Sequence, residues 1–324
     1  MQNVGFKRLP EFIEEDYISA IETAFTRCTY PNYFIEISRI SQDDENDLGY
    51  DGVITSLVPL YVQFKRSTFH TPQFHGRTAH QRTSCGFQNR SGFFSFNLHK
   101  DRNSKRFDQH NTLYTLSQVA RAVYAAPLFY KRSDLSQFKE QSRLYPWRYE
   151  DVLILDASLP GRVFAFPRMR VLFDSITIPP HAPITDRAAS HEYSYTRNGD
   201  ICFHSEPTPF DTPVKSLHDF ILEVVQSVFD KDRHHFDDGR MVFEIIPDLY
   251  HANWRSRNFK SMLKLYLVGI DKIPSTWTGD IHEYIFRELD TADRFLLLEA
   301  LLLQDFSIVQ YVLRVLPGER VVAS

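Results

Sequence analysis

Gly49-Tyr50-Asp51-Gly52-Val53-Ile54-Thr55-Ser56-Leu57-Val58-Pro59-Leu60-Tyr61-Val62-Gln63-Phe64-Lys65 is the decisive stretch of this 324-residue chain. From Pro59 onward it is mostly apolar, and the side chains of a strand alternate between its two faces. Leu60, Val62 and Phe64 are therefore placed toward a core, with Tyr61, Gln63 and Lys65 on the opposite side. Two strands are read here, over residues 50–58 and 60–67, bringing a carboxylate, an amide oxygen and an ammonium to neighbouring strand ends.

On the N-terminal side, residues 10–29 read as a helix. Ile13, Tyr17, Ile18, Ile21, Ala24 and Phe25 recur at steps of three and four, and Glu11, Glu14, Glu15 and Asp16 occupy the first turns, where the helix dipole favours acids. Pro31 ends it, residues 33–40 read as a strand and the acidic run 41–47 as a turn, giving an opening order α-β-β-β. On the C-terminal side, the polar, His-rich residues 68–91 read as a mobile loop and 93–98 as a strand. A helix over 109–122 and a buried strand over 122–129 follow, closing an α/β unit near Tyr130.

Residues 131–147 read as helical, and Val152-Leu153-Ile154-Leu155 and Val163-Phe164-Ala165-Phe166 as β segments. Residues 191–195 and 201–204 flank Asn198-Gly199, a hairpin signal because both residues accept positive φ. Helices are expected over 217–229, 259–267, 279–288 and 293–316. The expected division is an α/β domain over 1–130, a β-containing middle segment over 131–212 and a mostly helical region over 213–324. The class is α/β within an α+β whole.

With 43% hydrophobic and 24% charged residues, the composition is that of a globular protein. The 27 Phe and 16 Tyr are read as core filling. Net charge is -4, so a nucleic-acid surface would have to be local. Such a patch exists: Lys65 to Arg106 holds nine Lys and Arg against the single acid Asp101. Cys28, Cys85 and Cys202 show no paired spacing and suit reduced thiols, and no stretch has the roughly 18 apolar residues of a membrane span. The expectation is a soluble, cytoplasmic protein without membrane contact. His70, His75, His80, His99 and His110 fit no zinc-ligand spacing, and His191, His204 and Glu206 around the hairpin read as surface or loop-capping groups. The phosphate-loop, dinucleotide and esterase motifs are absent from the sequence.

Asp51, Gln63 and Lys65 together suit metal-assisted phosphodiester cleavage. Hard cations take oxygen ligands, here Asp51 and Gln63, while Lys65 positions water or offsets phosphate charge. The order helix, strand, strand with Asp, strand with Gln-x-Lys, helix, strand resembles the PD-(D/E)xK nuclease superfamily in its Gln-x-Lys branch, over residues 10 to 130. That branch includes Mrr-type restriction endonucleases and nucleases of bacterial antiphage systems. The resemblance implies a restriction-endonuclease-like core, a central mixed sheet flanked by helices. It also implies Mg or Mn as cofactor, held by Asp51, Gln63 and a first-helix acid, for which Glu15 is chosen over Glu14 and Glu22. Glu36 is a further outer ligand in this reading, and Gln109 is expected to approach the site.

DNA would lie along Arg66, Arg77, Arg82, Lys105, Arg106 and Gln109. The expected activity is a metal-dependent DNA endonuclease serving restriction or antiphage defence. The alternative is a catalytically inactive, nuclease-like subunit that binds nucleic acid or a protein. A protein partner docking on the C-terminal helices, or a homo-oligomer, is compatible with either.

Overall fold

The computed structural model describes residues 6–29, 35–39, 56–100, 107–144, 152–153, 164–165, 169–185, 190–204, 208–209, 214–229, 256–269, 271–289 and 291–315. In chain order the elements begin β1 (Lys7–Arg8), α1 (Glu14–Thr29), β2 (Ile35–Ser38), β3 (Ser56–Phe64), β4 (Thr68–His70), α2 (Arg77–Ser84), β5 (Phe93–Asn97), α3 (Asp108–Ser117) and β6 (Arg121–Pro127). They continue with α4 (Arg132–Leu144), β7 (Val152–Leu153), β8 (Phe164–Ala165), α5 (Arg170–Phe173), β9 (Ser175–Ile178), β10 (Glu192–Tyr195), β11 (Ile201–Phe203), β12 (Thr208–Pro209) and β13 (Lys215–Ser216). Last come α6 (Leu217–Phe229), α7 (Ser256–Gly269), α8 (Ile281–Arg287), α9 (Thr291–Phe306) and β14 (Val309–Val315).

The architecture is mixed α+β. A central sheet runs β13-β9-β6-β3-β14-β2, and a second, wholly antiparallel sheet runs β1-β4-β5-β10-β11-β12. In the central sheet β3 and β6 are parallel, a pairing that needs a crossover connection between them. The alternation read from sequence sorts the faces of β3. Val58, Leu60, Val62 and Phe64 join one core with Tyr17, Ile21 and Phe25 of α1 and Leu217 and Ile221 of α6. Tyr61 belongs to the other core, with Tyr124 of β6, Tyr193 and Tyr195 of the second sheet and Leu298 and Leu302 of α9. The central sheet thus carries helices on one face and the second sheet with further helices on the other.

Several expectations change. Residues 56–64 form one strand through Pro59, which stands one position before the β6 ladder begins at Leu60–Arg121 and so removes no β6 ladder bond. The strand break at that proline is absent, and Asp51 and the rest of residues 50–55 lie outside the described residues. The helix expected over 293–316 stops at Phe306, Ser307 takes φ 53°, and β14 follows. This strand pairs antiparallel with both β2 and β3, which its Val309, Val312 and Val315 favour. The first and third strands of the expected α-β-β-β order are therefore separated by a strand from the chain's end. Residues 68–91 are an ordered strand and helix rather than a loop, closed over the core by buried Phe74, Ala79 and Arg82. The boundaries at 130 and 212 do not divide the central sheet, because β9, β13 and β14 complete it from beyond them.

Candidate functional site

The β3–β6 ladder ends at the Phe64–Ala125 pair, and the backbone N–H of Lys65 still donates to the Ala125 carbonyl at 2.9 Å, holding Lys65 just past the end of β3. Gln63, two residues earlier, is 1% exposed. Its Nε2 donates to Gln109 Oε1 at 2.9 Å and to the Phe306 carbonyl at 3.0 Å, joining β3 to the first turn of α3 and the end of α9. Gln109 Nε2 in turn donates to Ser307 Oγ at 3.4 Å. Gln63 Oε1 is buried with no hydrogen-bond partner among the described residues.

The Lys65 ammonium lies 5.7 Å from the centre of the Tyr124 ring. Burial pushes its pKa down to about 8, and the Glu14 carboxylate opposes that shift. Burial raises the pKa of Glu14, with Lys65 and Arg66 pulling it down and Glu15 pushing it up. Both side chains line a cavity of about 720 Å³, with Arg66, Gln109, Ser307 and Lys100 at its walls. The cavity therefore combines one carboxylate, several neutral oxygens and a cationic edge, a set suited to a phosphate ester.

Of the residues that sequence reasoning chose, Lys65, Arg66 and Gln109 line the cavity, and Gln63, which does not line it, is bonded to Gln109. The fold does not bring Glu15 there: that residue is exposed, and Glu14, one position earlier on α1, faces the cavity. Glu22 is occupied elsewhere, accepting from Arg39 Nε at 2.7 Å and Tyr311 Oη at 3.2 Å. Glu36 sits on β2, across β14 from β3, opposite Arg314.

Among the residues expected to meet DNA, Arg66 and Arg77 are exposed, and Lys105 and Arg106 lie outside the described residues. Arg82 is a correction. It is 0% exposed, donating to Ser194 Oγ at 2.9 Å and Asn89 Oδ1 at 3.1 Å, so its guanidinium is spent inside the fold. Ser307 escaped sequence reasoning, Glu14 was passed over for Glu15, and Lys100 was counted only as part of the basic run. The acid choice turned on one residue of helix phase, and Ser307 is reached only because β14 returns to the sheet. Among the described residues no cluster of three His, Cys, Asp or Glu side chains has metal-binding geometry, and no helix is long and apolar enough to cross a membrane.

Compared with protein-family models, curated proteins and solved structures, the chain matches none.

Proposed function

We propose that the chain hydrolyses phosphodiester bonds of DNA at the cavity just past the end of β3. The observation that carries this reading is the half-buried Lys65 ammonium sharing a cavity with the Glu14 carboxylate, edged by Arg66 and Lys100. A lysine whose pKa lies near 8 exists in both protonation states close to neutral pH, so it can hold a phosphate or pass a proton to a leaving oxygen. Glu14, kept from full solvation, attracts the Lys65 ammonium electrostatically and can accept a proton from attacking water.

A divalent cation such as Mg or Mn would be held by oxygen donors, Glu14 at the cavity wall and Gln63 Oε1, which is buried with no hydrogen-bond partner among the described residues. When bound, it would activate water and neutralise charge on the phosphate. Arg66, with Arg77 farther along the chain, would hold the backbone of the polynucleotide by charge, so binding weakens as salt rises.

The test is a plasmid-nicking assay with Mg or Mn and an EDTA control. Wild type nicks only with metal. Lys65→Ala loses at least about 100-fold while keeping its circular dichroism spectrum. Full cleavage by Lys65→Ala would sink the assignment.

A second reading, a nuclease-like subunit that binds DNA without cutting, is favoured by one observation. Both amide hydrogens of Gln63 are already committed to Gln109 and Phe306, as in a structural pin. Salt-sensitive DNA binding with no metal-dependent nicking is its signature.

A further inference from the structure

Cys85 and Cys202 are 117 residues apart in sequence, yet their Sγ atoms approach to 3.2 Å. Both are free thiols. Cys85 caps the C-terminal end of α2, its N–H bonded to the Gln81 and Arg82 carbonyls at 3.1 Å, and is half-buried. Cys202 is fully buried on β11, in register with Ser194 of β10. The fold thus pairs one sulfur that solvent reaches with one that it does not. Arg82, one turn before Cys85, interacts electrostatically with both, and its Nη2 is buried with no hydrogen-bond partner among the described residues. A guanidinium in that position compensates an anionic sulfur.

We propose that Cys85 and Cys202 are a thiol-oxidation site that a hydroperoxide converts to a disulfide. The Cys85 sulfur attacks the peroxide: an S–O bond forms, the O–O bond breaks, and the departing oxygen leaves as water or alcohol after taking the thiol proton. Cys202 then attacks the sulfenyl sulfur, forming S–S, breaking S–O and releasing water with its own proton. Two thiols lose two electrons and the peroxide gains them. Solvent reaches Cys85 and not Cys202, whose thiol burial also pushes up, which leaves first attack to Cys85 and resolution to Cys202. The sulfurs must close from 3.2 Å to the roughly 2.05 Å of a disulfide. The bond ties α2, which carries Arg77 and His80, to the second sheet, and it stands independently of the nuclease reading.

The experiment treats the full chain with hydrogen peroxide, unfolds it, alkylates it and maps the peptides without reductant. The expected result is a Cys85–Cys202 peptide pair, lighter than the two thiol peptides by two hydrogens and released by dithiothreitol. The unfolding midpoint of the oxidised protein is expected to rise by about 5 °C. Cys202→Ser stops at a Cys85 sulfenic acid that dimedone captures, whereas Cys85→Ser leaves the Cys202 thiol unreacted. The map of the unmutated chain needs no variant to fold. The proposal is overturned if both thiols still alkylate after peroxide, if Cys28 is the partner, or if Cys85 over-oxidises equally fast with and without Cys202.

Discussion

Gln63 shows what a single side chain can and cannot reveal in advance. Its place on the face opposite Leu60, Val62 and Phe64 follows from alternation alone. That its amide, and not a carboxylate, is required follows from its neighbours: Gln109 Oε1 and the Phe306 carbonyl are both acceptors, so the residue between them must donate. Gln63→Glu places a carboxylate against two oxygens and loses both hydrogen bonds. Urea unfolding in EDTA should show it less stable by about 2–4 kcal/mol, and added Mg should recover part of that loss if the position faces a cation. Stability unchanged in EDTA would show that the two hydrogen bonds do not pin the amide. Glu14 over Glu15 was not legible, because both lie in the same acidic turn and only the docking angle of α1 selects one.

Among elements, those with strong local signals stand close to where periodicity puts them. Helix α6 spans Leu217–Phe229 as read, and β10 and β11 pair across Asn198-Gly199, with Gly199 at φ 94°. Residues 68–91 are the opposite case, since their polar composition concealed a strand and a helix anchored by Phe74 and Arg82. Gly92 shows how tightly that segment closes. It has φ 78°, and a Cβ there would lie 2.5 Å from the His70 carbonyl oxygen and 2.7 Å from Phe69 Cζ. Gly92→Ala therefore combines a disfavoured backbone with a clash against backbone, and is expected to cost roughly 2 kcal/mol or more. A thermal midpoint equal to wild type would show that the β4–β5 junction yields freely.

For the whole molecule, the central sheet sets what can fold alone. A fragment of residues 1–130 lacks β14, which covers β3 along seven residue pairs, and β9, which covers β6. It should give neither a cooperative melt nor a monomer on gel filtration, since both flanks of its parallel pair become exposed edges. A cooperative melt from that fragment would contradict the shared sheet.

Buried histidines set the acid limit. His110 donates from Nε2 to the Ala182 carbonyl and accepts from Tyr124 at Nδ1, both at 2.7 Å, so the neutral ring is fully satisfied. Burial lowers it from 6.5 to about 3, and His70, His181 and His204 to about 4. A ring whose folded pKa is depressed contributes fully above its unfolded value of 6.5. That contribution is lost as pH falls from there toward the folded value, because the unfolded chain takes up the proton first. His110 alone contributes about 1 kcal/mol per pH unit in that window, the part-exposed His181 less. Melts at pH 7.5, 6 and 5 should show a steadily falling midpoint, and a flat profile would exclude this account.

Local chemistry in the sequence determined the acidic amphipathic first helix, the two-faced strand ending in Gln63-Phe64-Lys65, the Asn-Gly hairpin and the α+β class. Each of these depends on residues within one or two turns or one strand of each other, so periodicity and turn preference suffice. Tertiary structure alone decided that Val309–Val315 inserts between β2 and β3, that Glu14 faces Lys65, that Arg82 is buried, and that Cys85 meets Cys202. Those outcomes depend on pairings across a hundred residues or more, or on the docking angle of one helix. They are set by which faces bury together, and no local pattern encodes that.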